Sequence, residues 1–212
     1  MAAPNALLDL PGMPGLRERV EKRLLAAVET DDEAMTEMAS HLVRAGGKRL
    51  RPLLAGLSST TGDAEAVVSD EAITGGVACE LVHVGSLHAT ADTRHGVDSV
   101  NSRWGNLRAI LSGDFLLARA SELAASLGTE VAGLLASTIG RLCTGEVREL
   151  QRAYQVDRTV ADYEAAIEGK TAALYSTACR IGGIVGDLPR THVDALTDYG
   201  LHYGMAFQVV DD

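Results

Sequence analysis

The chain has 212 residues, 46% of them hydrophobic and 4% aromatic, with a formal net charge of -10. That length supports one large domain with a full core, and the acidic balance excludes nucleic acid as an attractive partner. No basic region followed by an apolar run opens the sequence, and no apolar stretch reaches the ~20 residues that cross a bilayer, so a cytoplasmic protein without a membrane span is expected.

Abundant alanine and leucine with few aromatics suit packed helices better than a sheet. The three cysteines, Cys79, Cys143 and Cys179, lie far apart in apolar helical patterns. They lack metal-ligand spacing and their odd number argues against a disulfide framework, so each is expected as a small buried hydrophobe.

Residues 1–15 carry Pro4, Pro11, Pro14, Gly12 and Gly15 and read as a flexible arm. The domain is predicted over 16–212. A first helix follows Leu16, Val20, Leu24, Leu25 and Val28. A second opens on Asp31-Asp32-Glu33, where negative charge suits the helix dipole, and stops at Gly46-Gly47. Lys48-Arg49-Leu50-Arg51-Pro52 comes next, with Pro52 predicted as the first residue of a third helix. Three cations at a glycine turn between helices suit a diphosphate, because arginine offers a planar fork and lysine a point charge. A solvated basic turn is the competing reading.

A further helical region spans Ala64 to His88, and Gly75-Gly76 is expected to bend or split it. His83 on it reads as either a core histidine or a ligand group. The polar loop that follows holds Arg94, His95 and Arg103, which serve as loop salt-bridge residues unless an anion sits there. Amphipathic helices are predicted over Leu107–Leu127 and from Val131 to about Ala153. Thr159-Val160-Ala161-Asp162 has the form of a capping box and starts a helix that carries Lys170-Thr171 and closes at Gly182-Gly183. Lys170, among small residues, can reach into a cavity or snorkel to the surface. A second box, Thr191-His192-Val193-Asp194, is expected to open the last helix. No strand or internal repeat is predicted. Gln208, Asp211 and Asp212 end the chain on neighbouring helix positions. Paired carboxylates there fit a cation such as magnesium, or else a solvated helix end.

Five ordered segments together resemble the trans-isoprenyl diphosphate synthase, or polyprenyl synthetase, family: Gly46 to Pro52, Leu81 to Leu87, Gly96 to Ala120, Gly169 to Ala172, and Phe207 to Asp212. The resemblance covers the chain from about residue 16 onward. It implies an all-α antiparallel bundle around a central cavity, here lacking the C-terminal helices. It also implies magnesium-dependent condensation of isopentenyl diphosphate with an allylic prenyl diphosphate by a homodimer or heterodimer.

By matching position, the resemblance assigns isopentenyl diphosphate to Gly47, Lys48, Arg51 and His83. It assigns the allylic diphosphate to Arg94, His95, Lys170, Thr171 and Gln208. Metal falls to Asp211 and Asp212, which with Lys170 and Gln208 form the expected catalytic set. Gly85 and Ser86 stand where the family limits product length, and their small size implies a long-chain product.

The sequence departs from the family pattern in two places. Between Leu87 and Arg94 it reads His88-Ala89-Thr90-Ala91-Asp92-Thr93, without the paired aspartates of the family's first metal motif, and His95 replaces an arginine. Those departures support an alternative: a non-catalytic binding or regulatory subunit of the same fold, paired with itself or with a complete synthase.

Overall fold

A computed structural model of the chain describes residues 13–63, 65–87, 93–94, 97–152, 157 and 159–211. Its helices are α1 (Met13–Val28), α2 (Glu33–Arg44), α3 (Leu50–Ser59), α4 (Asp70–Leu87), α5 (Val100–Trp104), α6 (Asn106–Ser126), α7 (Thr129–Arg152), α8 (Val160–Ile167), α9 (Ala173–Val185) and α10 (Arg190–Asp211). A π turn, Glu168–Ala172, joins α8 to α9. The all-α expectation is met. The described residues add one short antiparallel ladder, β1 (Thr93–Arg94) with β2 (Val97–Asp98).

Helices α4 and α9 form the centre of the bundle. From Ala72 to Val84, α4 is apolar or small on every side except at Thr74, Glu80 and His83, and Ala173 to Cys179 of α9 is buried throughout. A helix that is apolar all round belongs inside a bundle. Helix α3 packs on both, α6 covers another side of α4, and α10 lies along α9. At Gly75 and Gly76, α4 runs straight through. An added Cβ on Gly76 would lie 2.5 Å from Pro52 Cα, and one on Gly75 would strike Ile181. These glycines serve close approach to α3 and α9 instead of a bend.

Several local signals hold. Asp32 caps α2, accepting a 2.8 Å hydrogen bond from the Met35 amide. Both halves of the Thr159–Asp162 capping box form, at 3.1 Å each. Others do not. Helix α1 already begins at Met13, inside the predicted arm, whose residues 1–12 lie outside the described set. Pro52 is the third residue of α3, where its missing N–H still costs no intrahelical bond. Thr191 lies inside α10, whose first turn closes on the Pro189 carbonyl, and Asp194 pairs with Arg180 at 2.8 Å. Cys79 and Cys179 are buried as expected, but Cys143 is exposed on α7 because its stripe faces away from the core.

Candidate functional site

The turn from α2 to α3 is built on backbone that few residues accept. Gly46 has φ +85° and Gly47 φ +154°, and Arg49 sits in the left-handed region at φ +50°. That conformation costs a non-glycine residue roughly 1–2 kcal/mol. The Arg49 side chain offsets it. Its guanidinium donates to Glu21 at 2.8 and 3.3 Å, to Glu80 at 3.4 Å and to the Val43 carbonyl at 2.5 Å. Burial lowers the Arg49 pKa, but the hydrogen bond to Glu21 and the charges of Glu80 and Glu21 outweigh it, so the net shift is upward. Of the three cations predicted to face an anion, Arg49 is therefore a structural strut pointing inward.

Lys48 and Arg51 remain. Lys48 is exposed, with Nζ 5.7 Å from the centre of the Phe207 ring of α10. Arg51 Cζ lies 4.5 Å over the Tyr175 ring of α9, and its Nη1 is 3.6 Å from Glu80 Oε2. Tyr175 in turn meets Phe207 and Tyr203 at ring-centre distances of 5.6 and 5.4 Å. The two turn cations thus rest on one aromatic platform formed by α9 and α10. Cation–π contacts are worth ~0.5–1 kcal/mol when exposed and up to ~2 when desolvated. Burial pushes the Tyr175 phenol up to about 12, against a smaller lowering effect of Arg51.

The second half of the site is the π turn. Such turns occur mostly as single-turn insertions inside α-helices and are frequent at functional sites. Here it rests on α7 at Gly145, where an added Cβ would lie 2.5 Å from the Lys170 amide nitrogen. Thr171 donates a 2.8 Å hydrogen bond to the Gln208 side-chain carbonyl of α10. Lys170 Nζ donates to Glu149 at 2.7 Å and lies 3.3 Å from Glu146, both on α7. Burial lowers the Lys170 pKa, but the Glu149 hydrogen bond and the two carboxylate charges raise it further, leaving the ammonium firmly charged.

Among the remaining predicted positions, His83 is half-buried on α4, one turn beyond Glu80. Gly85 is a packing residue: its added Cβ would lie 3.2 Å from the Gly113 carbonyl oxygen of α6. Ser86 donates to the His83 carbonyl at 2.8 Å. Of Arg94 only the backbone is described, in the ladder with Val97, and His95 and Asp212 lie outside the described residues. The end of that ladder is tied to α2 by His41, whose Nε2 lies 2.7 Å from the Asp98 carbonyl oxygen. Arg103 pairs with Glu37 at 3.2 Å, which makes it a salt-bridge residue. Asp211 is exposed at the end of α10. Among the described residues no group of three potential metal ligands converges.

Sequence reasoning missed Glu80, Tyr175, Glu146 and Glu149. Glu80 carried a signal, since a lone carboxylate in the apolar run Val77-Ala78-Cys79-Glu80-Leu81-Val82 needs a buried partner. The other three carried none, because exposed-looking glutamates and a helical tyrosine are ordinary.

Lys48 is exposed at the basic turn while Arg51 lies buried on the aromatic floor, and α10 joins this turn, through Phe207, to the Thr171–Gln208 pair of the π turn. The Polyprenyl synthetase family model matches residues 32–212. The chain belongs to the polyprenyl synthetase family. It is 37% identical over 202 residues to a nonaprenyl diphosphate synthase of Mycobacterium tuberculosis, covering 92% of this chain and 59% of that protein. It is 35% identical over 199 residues to heptaprenyl diphosphate synthase component 2 of Geobacillus stearothermophilus, covering 91% and 61%. A polyprenyl synthase from Caulobacter crescentus CB15, crystallised with calcium and isoprenyl diphosphate, superposes with a TM-score of 0.89 at 30% identity, covering 97% of this chain and 63% of that one. The chain thus spans about three fifths of the length of the curated relatives it matches. Among the described residues of this family member, no helix is long and apolar enough to cross a membrane.

Proposed function

We propose that this chain carries the substrate-binding core of a long-chain polyprenyl diphosphate synthase, which condenses isopentenyl diphosphate with an allylic diphosphate. The observation that carries the reading is the position of α10. Its Phe207 lies under Lys48 while its neighbour Gln208 bonds Thr171, so one helix joins the basic turn to the π turn. Lys48 and Arg51, with His83 one turn from Glu80, hold the diphosphate of isopentenyl diphosphate. Lys170, Thr171 and Gln208, with Arg94, hold that of the allylic partner.

In this reaction the allylic C–O bond breaks and its electron pair leaves with the diphosphate. The isopentenyl double bond then forms the new C–C bond, and a proton departs. Lys170 stabilises the leaving diphosphate as a fixed positive charge, and the Thr171–Gln208 pair orients it. The buried faces of α4 and α9 exclude water that would quench the cation. Magnesium fits the hard carboxylate oxygen of exposed Asp211, since it takes one or two carboxylates and completes its shell with water and phosphate oxygens. Asp211 and Asp212 would hold it, and it would supply further positive charge to the departing diphosphate. The names of the relatives support a long product.

Incubation with labelled isopentenyl diphosphate, farnesyl diphosphate and magnesium is the test. A longer prenyl diphosphate is expected, and its formation is lost on chelation of the metal. A folded chain that neither binds isopentenyl diphosphate nor makes product overturns the reading. The missing aspartate pair between Leu87 and Arg94 favours a second reading, a binding subunit that pairs with a complete synthase. In that case the chain binds isopentenyl diphosphate, makes nothing alone, and changes the product of an added synthase with which it co-elutes.

A further inference from the structure

Arg51 is held in an unusual way for a group assigned to an anion. It is buried to 7% exposure between the Tyr175 ring and the Glu80 carboxylate. Its Nε, and the Glu80 Oε2 that lies near its Nη1, are buried without a hydrogen-bond partner among the described residues. The two charges sit 3.6 Å apart, near enough to attract and too far to bond. Glu80 itself is 4% exposed on α4, and its other oxygen takes a 3.4 Å bond from Arg49. Arg49 is already held by Glu21 and the Val43 carbonyl, so its position does not depend on Glu80 alone. Among the described residues Arg51 has no such second carboxylate.

We propose that Glu80 is a positioning residue for substrate binding: one buried carboxylate that locks the α2–α3 turn through Arg49 and aims Arg51, pressed on Tyr175, at the diphosphate of isopentenyl diphosphate. The inference rests on the reading of Arg51 as a ligand of that diphosphate. A carboxylate that hydrogen-bonded Arg51 fully would compete with the substrate for the guanidinium fork. A carboxylate at 3.6 Å holds the cation by charge and leaves its donors unspent. The same charge lowers the cost of keeping a guanidinium buried before substrate arrives.

Calorimetric titration of the 212-residue chain with isopentenyl diphosphate, and separately with farnesyl diphosphate, tests this. Glu80→Gln is expected to weaken isopentenyl diphosphate binding about tenfold and to change farnesyl diphosphate binding less than about twofold. Glu80→Asp, which keeps the charge, restores most of the affinity. Should Glu80→Gln fail to fold, the double variant Arg49→Met/Glu80→Gln removes one buried charge of each sign and is expected to show the same selective loss. Unchanged affinity in a folded Glu80 variant overturns the positioning role while leaving Arg51 as a ligand. Equal losses for both diphosphates overturn it too, because they report a general structural defect. A wild-type chain that binds farnesyl diphosphate but not isopentenyl diphosphate overturns the assignment of Arg51, and this inference with it.

Discussion

Lys170, proposed above to meet the allylic diphosphate, is held by carboxylates. Two glutamates of α7 hold its ammonium in place, at 2.7 and 3.3 Å, and keep it charged. Lys170→Met leaves Glu146 and Glu149 facing the incoming diphosphate without their counter-charge. The expected result is a loss of allylic diphosphate affinity of about tenfold or more, read as a rise in KM or Kd. Stability changes little, because a pair with about a third of its surface in water is weakly stabilising. The sign of the pH effect follows from the upward shift. The pair's contribution is fully present below the ordinary lysine pKa and is lost only as pH rises through the higher folded value, so it adds no pH dependence near neutrality. The sequence made Lys170 a candidate but left its direction open. Its partners lie 21 and 24 positions away on another helix, beyond the reach of local pattern.

At the scale of elements, the site depends on how closely α7 carries the π turn. Gly145→Ala places a methyl 2.5 Å from the Lys170 nitrogen and 2.8 Å from the Gly169 carbonyl carbon, both rigid backbone. Alanine favours a helix by up to ~1 kcal/mol over glycine, yet overpacking costs ~1–3 kcal/mol, so net destabilisation is expected in urea unfolding. Because Lys170 and Thr171 ride on the displaced turn, allylic diphosphate affinity falls in the same variant. Isopentenyl diphosphate affinity, proposed to depend on the other turn, is expected to change less. The helices on either side of this turn were legible in the sequence through the Thr159 capping box and the apolar spacing. The π turn itself was not, since an extra residue inserted into a helix leaves composition and approximate periodicity unchanged.

For the whole molecule, the buried centre imposes an alkaline limit. Burial pushes Cys79 and Tyr175 up to about 12 and Cys179 up to about 11. Each raised pKa means that the folded chain keeps a proton the unfolded chain gives up. The stability linked to these groups is fully present below about pH 9 and is lost as pH rises from there through 11 and 12. Urea midpoints should therefore fall between pH 9 and 11, and Cys79→Ala/Cys179→Ala should flatten that fall even though it lowers the midpoint at pH 7. A slope unaltered by the double variant would assign the alkaline loss to other groups.

The sequence by itself determined the all-α class, most helix positions and the family, because these rest on signals within one helical turn or on ordered motifs along the chain. Asp32, Thr159 and the glycines after α2 mark their boundaries through bonds spanning three or four residues. Only the tertiary structure decided that, of the cations in Lys48-Arg49-Leu50-Arg51, Lys48 is exposed while Arg49 and Arg51 are buried. Arg49 turns inward because Glu21 and Glu80, 28 and 31 residues away, meet it there. It likewise decided that Thr191 sits inside α10, that Cys143 faces out, and that Lys48 and Arg51 share an aromatic floor of Tyr175 and Phe207. Each of these outcomes depends on which helices pack together, and side-chain direction at a turn is set by long-range partners that local spacing does not contain.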